Sequence, residues 1–151
     1  IAKRILKVED DQVIQMGNFV GYMLNHAEKE GVKRITLLGH AGKIIKISAG
    51  IFNTKHSIAD GRREIIAVHS ALSGADKELL KEIFESNTTE EMITLLEKHS
   101  LVQTVFNSIA ERIKIICSER FRISFNVIIV NMDGRVLNNN HATPIISKKD
   151  D

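Results

Sequence analysis

The sequence predicts an α/β fold: a Rossmann-like domain with a short, mainly parallel sheet, flanking helices, a helix-rich second half and a C-terminal hairpin. Three observations carry that expectation. Apolar residues recur at helical spacing through most of the chain. Two runs, residues 35–38 and 125–130, are mostly apolar and rich in β-branched side chains, as strands buried on both faces are. Strand-like, helix-like and strand-like segments succeed one another between residues 5 and 38, the order of a right-handed crossover between parallel strands.

Ile5, Leu6 and Val8 form the first short run and read as a strand. Asp10 and Asp11 suit a helix start. Val13, Met16, Val20, Leu24 and Ala27 then share one face of an amphipathic helix, which Gly31 closes. Gly17 and Gly21 lie one turn apart on that helix and predict close packing against a sheet. After the strand at 35–38, residues 39–42 make a turn and 43–49 a short helix ended by Gly50. A polar loop carries Asn53, Thr54, Lys55, His56, Ser57 and Asp60.

Ile65, Val68, His69 and Leu72 share the face of the next helix, closed by Gly74, and Leu79, Leu80, Ile83 and Phe84 mark another. Thr88 and Glu91 have the spacing of a capping box and open a helix through Leu95 and Leu96. Val102, Val105, Phe106, Ile109, Ile113, Ile116 and Cys117 build a long one. Asp133-Gly134 after the strand at 125–130 is a turn signal, with a hairpin partner at 135–137. These elements predict one α/β domain over residues 1–137. Residues 138–151 lack periodicity and read as a mobile tail.

The chain has 151 residues, enough for a sizeable core, with 43% hydrophobic and 26% charged residues. A net charge of +2, no Trp, one Tyr and no basic stripe argue against a nucleic-acid partner. No apolar run is long enough to span a membrane. Cys117 is the lone cysteine, so no internal disulfide forms, which fits a reducing cytoplasm. The first residue is Ile1, and its neighbours already read as structured, which points to a piece of a longer protein.

The candidate chemistry lies in Gly39-His40-Ala41-Gly42-Lys43, between a predicted strand and a predicted helix. Ligands of open α/β sheets settle at the carboxyl ends of strands, and helix starts favour anions. Lys43 opposes the helix dipole there, and Lys46 follows three residues on, on roughly the same face. An anion shared by both explains the pair; two solvated lysines explain it equally well. Only two residues separate Gly39 from Gly42, and Ile44 follows Lys43, so this is no P-loop; the dinucleotide fingerprint is absent too. The loop from Asn53 to Asp60, with Arg62 and Arg63 after it, is a candidate binding rim, although Ser57 or Asp60 more simply caps a helix.

The order and spacing of these blocks resemble the CbiD family. The chain reads Gly17-Asn18-Phe19-Val20-Gly21-Tyr22-Met23-Leu24, then Gly39-His40-Ala41-Gly42-Lys43 with Lys46 and Gly50 in place, then Ile51-Phe52-Asn53-Thr54 and Ala59-Asp60. It departs from the pattern at Lys55, where a histidine is expected and His56 comes one place later. Members of that family are longer, with an N-terminal half rich in Thr, Gly, Cys and Ala that nothing here matches. The resemblance implies S-adenosyl-L-methionine-dependent methylation of cobalt-precorrin-5B at C1 in anaerobic cobalamin biosynthesis. Cobalt then belongs to the corrinoid substrate, not to a metal site of the protein.

The partners implied are that corrinoid and the missing N-terminal half of the same enzyme, and a homo-oligomer stays open. The resemblance implies that His40 and Asp60 are catalytic. It implies that Gly39, Gly42, Lys43, Lys46, Asn53, Thr54 and His56 bind substrate or cofactor, and Arg62 could clamp a carboxylate. His69 and Cys117 read as core residues. The alternative is a non-catalytic α/β module that binds an anionic ligand at the turn from Gly39 to Lys43.

Overall fold

The computed structural model describes residues 2–6 and 8–142, and the backbone alone of Lys3. Among the described residues there are seven α-helices and two strands. Helix α1 spans Ala2–Leu6, α2 Val20–Lys29, α3 Ala41–Ile44, α4 Arg62–Leu72, α5 Lys77–Glu85, α6 Thr89–Lys98 and α7 Val102–Arg120. Strand β1 is Arg34–His40 and β2 is Ser124–Val130. They pair in parallel, from Arg34 beside Ser124 to His40 beside Val130, so both carboxyl ends open at one edge. Helices α3 to α7 form the long crossover between them. The fold is therefore α/β with a short parallel sheet; two strands define no doubly wound order. No helix among the described residues is long and apolar enough to cross a membrane.

The core is built around α7. Its spacing buries Val105, Phe106, Ile109, Ala110, Ile113 and Cys117 on one stripe. That stripe meets β2, whose Val127 to Val130 are buried, and the 3-10 turn Ile45–Ala49 that continues α3. Cys117 is a core residue, as expected, and burial pushes its thiol up to about 12. The capping box is present: Thr88 Oγ1 accepts from Glu91 N at 3.2 Å, and Glu91 Oε2 accepts from Thr88 N at 3.4 Å.

The N-terminal segment differs from its expectation. Ile5 and Leu6 lie in a helix rather than a strand, and Val8 is in no element. Ala, Lys, Arg and Leu in α1 are good helix formers, and three apolar residues are too short a signal to outweigh them. The Arg4 guanidinium ties this helix to Gly134 O at 3.3 Å. The helix expected from Val13 begins only at Val20. Asp10 and Asp11 form a single 3-10 turn instead, and Gly17 is left-handed at φ +55°. Residues 18 and 19 have another use for their backbone. Phe19 makes an antiparallel bridge to Asn53, and Thr54 N donates to Asn18 O at 3.0 Å. Two blocks far apart in the sequence are thereby joined before α2 starts.

The expected hairpin is reduced to one bridge, Val130 to Val136. Beyond it Asn138 acts in place of a strand residue. Its Oδ1 accepts from Ile129 N and its Nδ2 donates to Val127 O, both at 2.9 Å. Asn138 is 2% exposed, so the segment set aside as a tail begins inside the core. Asn139, Asn140 and Ala142 are bonded to Asn107 and Asn126. Residues 143–151 of that segment lie outside the described residues.

Gly21 makes the close approach expected of it, but against a loop. Its N–H donates to Phe52 O at 3.3 Å, and a Cβ there would lie 3.0 Å from Phe52 Cβ. Gly21→Ala is predicted to cost about 1–3 kcal/mol in urea unfolding, because neither backbone can retreat. Unchanged stability would show that the two segments are not pinned together.

Candidate functional site

Three pieces of chain meet just after β1 ends: residues 39–46, the loop 53–60 and the start of α4. Residue 40 closes β1 and is the N-cap of α3. The His40 ring is half-buried, with Nδ1 3.2 Å from Asn131 O just past β2. A carbonyl only accepts, so Nδ1 carries the proton and Nε2 of the neutral ring is an acceptor. Gly39 faces inward: a Cβ on it would lie 3.1 Å from Ile44 Cβ, so its glycine serves packing. Gly42 faces the site, towards Arg62 Nη1 and Thr89 Oγ1.

The two lysines have different positions. Lys43 is exposed, and its Nζ reaches Asn18 Oδ1 at 3.4 Å. The same oxygen lies 3.5 Å from Thr54 Oγ1, which donates to it. Lys46 is 1% exposed and turns inward. Its Nζ donates to Thr54 O at 3.2 Å and to Ala59 O at 2.9 Å. One buried ammonium thus holds both ends of the polar loop. Burial is the main reason its pKa lies below the usual lysine value, with Arg62 and Lys43 adding to the shift and Asp60 opposing it.

Within the loop, Asn53 Oδ1 accepts from Lys55 N at 3.2 Å and shapes the turn. Thr54 is buried, whereas Lys55 and His56 are exposed. Asp60 accepts from Arg62 Nε at 2.7 Å, from Nη2 at 3.3 Å and from the Arg62 backbone N–H at 3.3 Å. His56 Nδ1 stands 3.4 Å from Arg62 Nη2 and 3.6 Å from Asp60 Oδ2. The Arg62 side chain is the largest reason that the Asp60 carboxyl is held at about 2. A carboxylate held so low is a weak base, so its fit is as an anchor that orients Arg62.

The fold therefore gathers Asn18, Gly42, Lys43, Lys46, Thr54, His56, Asp60 and Arg62, and leaves His40 beside Asn131. Sequence reasoning did not single out Asn18 as a site residue, although it sits in a quoted motif. His69 is half-buried and hydrogen-bonds through Nδ1 with Ser108 Oγ at 2.7 Å, away from this cluster.

Asp60 gives a pH expectation. Its folded pKa is depressed, so the contribution of the pair is present above the unfolded value of about 3.9 and lost as pH falls through about 2. A carbon-13 NMR titration should place the Asp60 midpoint near 2, and Arg62→Ala should return it to about 4. A wild-type midpoint already near 4 would show that the pair is not formed.

Comparison with known proteins bears on this cluster. The family described as "CbiD, C-terminal domain" matches residues 53–141. A relative from Methanobrevibacter smithii, named cobalt-precorrin-5B C(1)-methyltransferase, is 47% identical over 140 residues, which is 93% of this chain and 39% of the relative. Relatives of the same name are 48% identical in Methanosphaera stadtmanae, over 96% of this chain and 39% of theirs, and 49% identical in Methanocaldococcus jannaschii, over 90% and 38%. The chain thus spans well under half the length of these curated relatives. No solved structure matches. By the extent of the family match and the identity to these relatives, the chain belongs to the CbiD family through that family's C-terminal domain.

Proposed function

We propose that this chain is the C-terminal part of an enzyme that methylates cobalt-precorrin-5B at C1 in anaerobic cobalamin biosynthesis, and that its own share is to seat the acidic arms of the corrinoid. The observation that carries the reading is a cluster of cations close after the end of β1: Arg62 is paired with Asp60, and the buried Lys46 feels the charges of Asp60, Arg62 and Lys43. The printed names of relatives at 47–49% identity support the reaction.

The donor in this reading is S-adenosyl-L-methionine, which supplies, when bound, a methyl group made electrophilic by a sulfonium. The residues here fit acids: an Arg62 edge and an exposed Lys43 ammonium are both donors. Such groups suit the corrinoid's carboxylates, and equally the donor's amino-acid carboxylate. Lys43 is held outward by Asn18 and takes an acid arm as a point charge. Arg62, oriented by Asp60, offers a second. His40, with its Nε2 lone pair, is better suited than Asp60 to accept a proton. Holding the macrocycle at fixed points is a catalytic contribution in itself, because displacement at carbon needs donor and acceptor in line. The rest of the site comes from the enzyme's N-terminal portion, and the reading places the enzyme in the cytoplasm.

The test is turnover of cobalt-precorrin-5B with S-adenosyl-L-methionine by the full-length protein, read as a gain of one methyl by mass spectrometry. Lys43→Ala should lower kcat/KM about 10- to 100-fold, the value of one charge-assisted hydrogen bond. Wild-type turnover in that variant would remove Lys43 from the site, and absence of any methylation by the wild type would overturn the assigned reaction.

A further inference from the structure

The two strands differ at their outer edges. A parallel ladder turns alternate residues towards the neighbouring strand and the residues between them away from it. Ser124 N donates to Lys33 O at 2.9 Å, and the register sets Arg34 beside Ser124, so the backbones of Ile35, Leu37 and Gly39 face β2. Those of Thr36 and Leu38 therefore point outward, as do those of Val127 and Ile129 on β2. On β2 the outward groups are in use. Leu137 N donates to Ile129 O at 2.8 Å, and the Asn138 amide bonds to Ile129 N and Val127 O. On β1 the outward backbone groups of Thr36 and Leu38 have no hydrogen-bond partner among the described residues.

Burial falls off across the sheet in the same direction. Leu38 lies beside Ile128 on one face of the sheet; Ile128 is 0% exposed, whereas Leu38 is only half-buried. His40, beside the buried Val130, is half-buried too. Strand β1 also carries none of the devices that blunt an exposed edge. Its seven residues include no Pro and no Lys, its register runs unbroken, and its one charged residue, Arg34, stands at the start. Parallel sheets are as a rule covered on all sides, and two strands alone make a marginal sheet. A long apolar edge with open ladder groups is a template for a further strand.

We propose that the outer edge of β1 receives an extended apolar segment from the enzyme's N-terminal portion, which bonds to the backbones of Thr36 and Leu38 and makes a third strand. The chain spans only 38–39% of the length of its curated relatives, and the family match is to a C-terminal domain, so most of such an enzyme lies in that other portion. A strand supplied by the same polypeptide is also present at a high effective concentration, which a second copy is not. This rests on the reading that the chain is the C-terminal part of a longer enzyme, and adds where the two portions join. His40 closes the same strand and leads into the turn to Lys43, so the join sets the rim against whatever the N-terminal portion contributes to the site.

The test is amide hydrogen exchange of the full-length protein, read by NMR, with the oligomeric state followed by sedimentation. The Thr36 and Leu38 amides are expected to exchange about 100-fold or more slowly than those of an open edge, as the inner amides of Leu37 and Gly39 do. They are also expected to show NOEs to the amides of one N-terminal run. Fast exchange at Thr36 and Leu38 beside slow exchange at Leu37 and Gly39 would leave the edge open and overturn the proposal. Protection that vanishes as a dimer dissociates on dilution would overturn it too, because the occupant would then be a second copy. So would protection without NOEs to an N-terminal run. Methylation of cobalt-precorrin-5B by the same preparation separates this join from the reading beneath it. An active enzyme with a free edge loses only the strand; an inactive one with a protected, N-terminally paired edge loses the reaction and keeps the strand.

Discussion

A lysine ammonium with 1% exposure is an expensive thing for a small fold to keep. Lys46 keeps it because the polar loop wraps around it. Thr54 O and Ala59 O accept from the same Nζ, five residues apart in the chain, and close the loop on one point. The carboxylate of Asp60 and the turn of chain from Ile45 to Ala49 complete its surroundings. Without that centre the loop has few internal bonds of its own to keep Asp60 in place. The remaining geometry follows: Thr54 reaches Asn18, Asn18 reaches Lys43, and the bridge from Phe19 to Asn53 fastens the loop to the start of α2.

This arrangement separates two uses of positive charge. Lys46 is turned inward and supports; Lys43 and Arg62 are turned towards the outer rim, each steered by a neighbour. A rim whose cations are already oriented loses less freedom when an acid binds, which is how preorganisation raises affinity. Asp60 acts in the same way, because a carboxylate held at about 2 stays charged across the working pH range and keeps the guanidinium in place.

Much of this was legible in the sequence, for physical reasons that differ by element. Both strands and α4 to α7 follow from apolar periodicity over long stretches, where burial decides the outcome. The start of the chain was misread because Ile5, Leu6 and Val8 are too few to set a period, and because α2 is delayed by a bridge to Asn53 that no local pattern records. The turn at Gly39 to Lys43 and the loop to Asp60 were visible as candidates, and family resemblance made them specific. The inward turn of Lys46 was not visible, since spacing puts it on the same side as Lys43 and says nothing of carbonyls arriving from eight and thirteen residues away.

The central claim is that the buried ammonium of Lys46 organises the rim. Amide hydrogen exchange of Lys46→Met tests it most directly. Thr54 N, Ile58 N and Ala59 N are each hydrogen-bonded within or next to the loop, to Asn18 O and Lys55 O. The account predicts that these amides exchange about 10- to 100-fold faster in the variant while the amides of Ile109 and Ile113 in α7 keep their protection. Unchanged exchange at Thr54, Ile58 and Ala59 would show that the loop holds itself and that Lys46 is not its organiser.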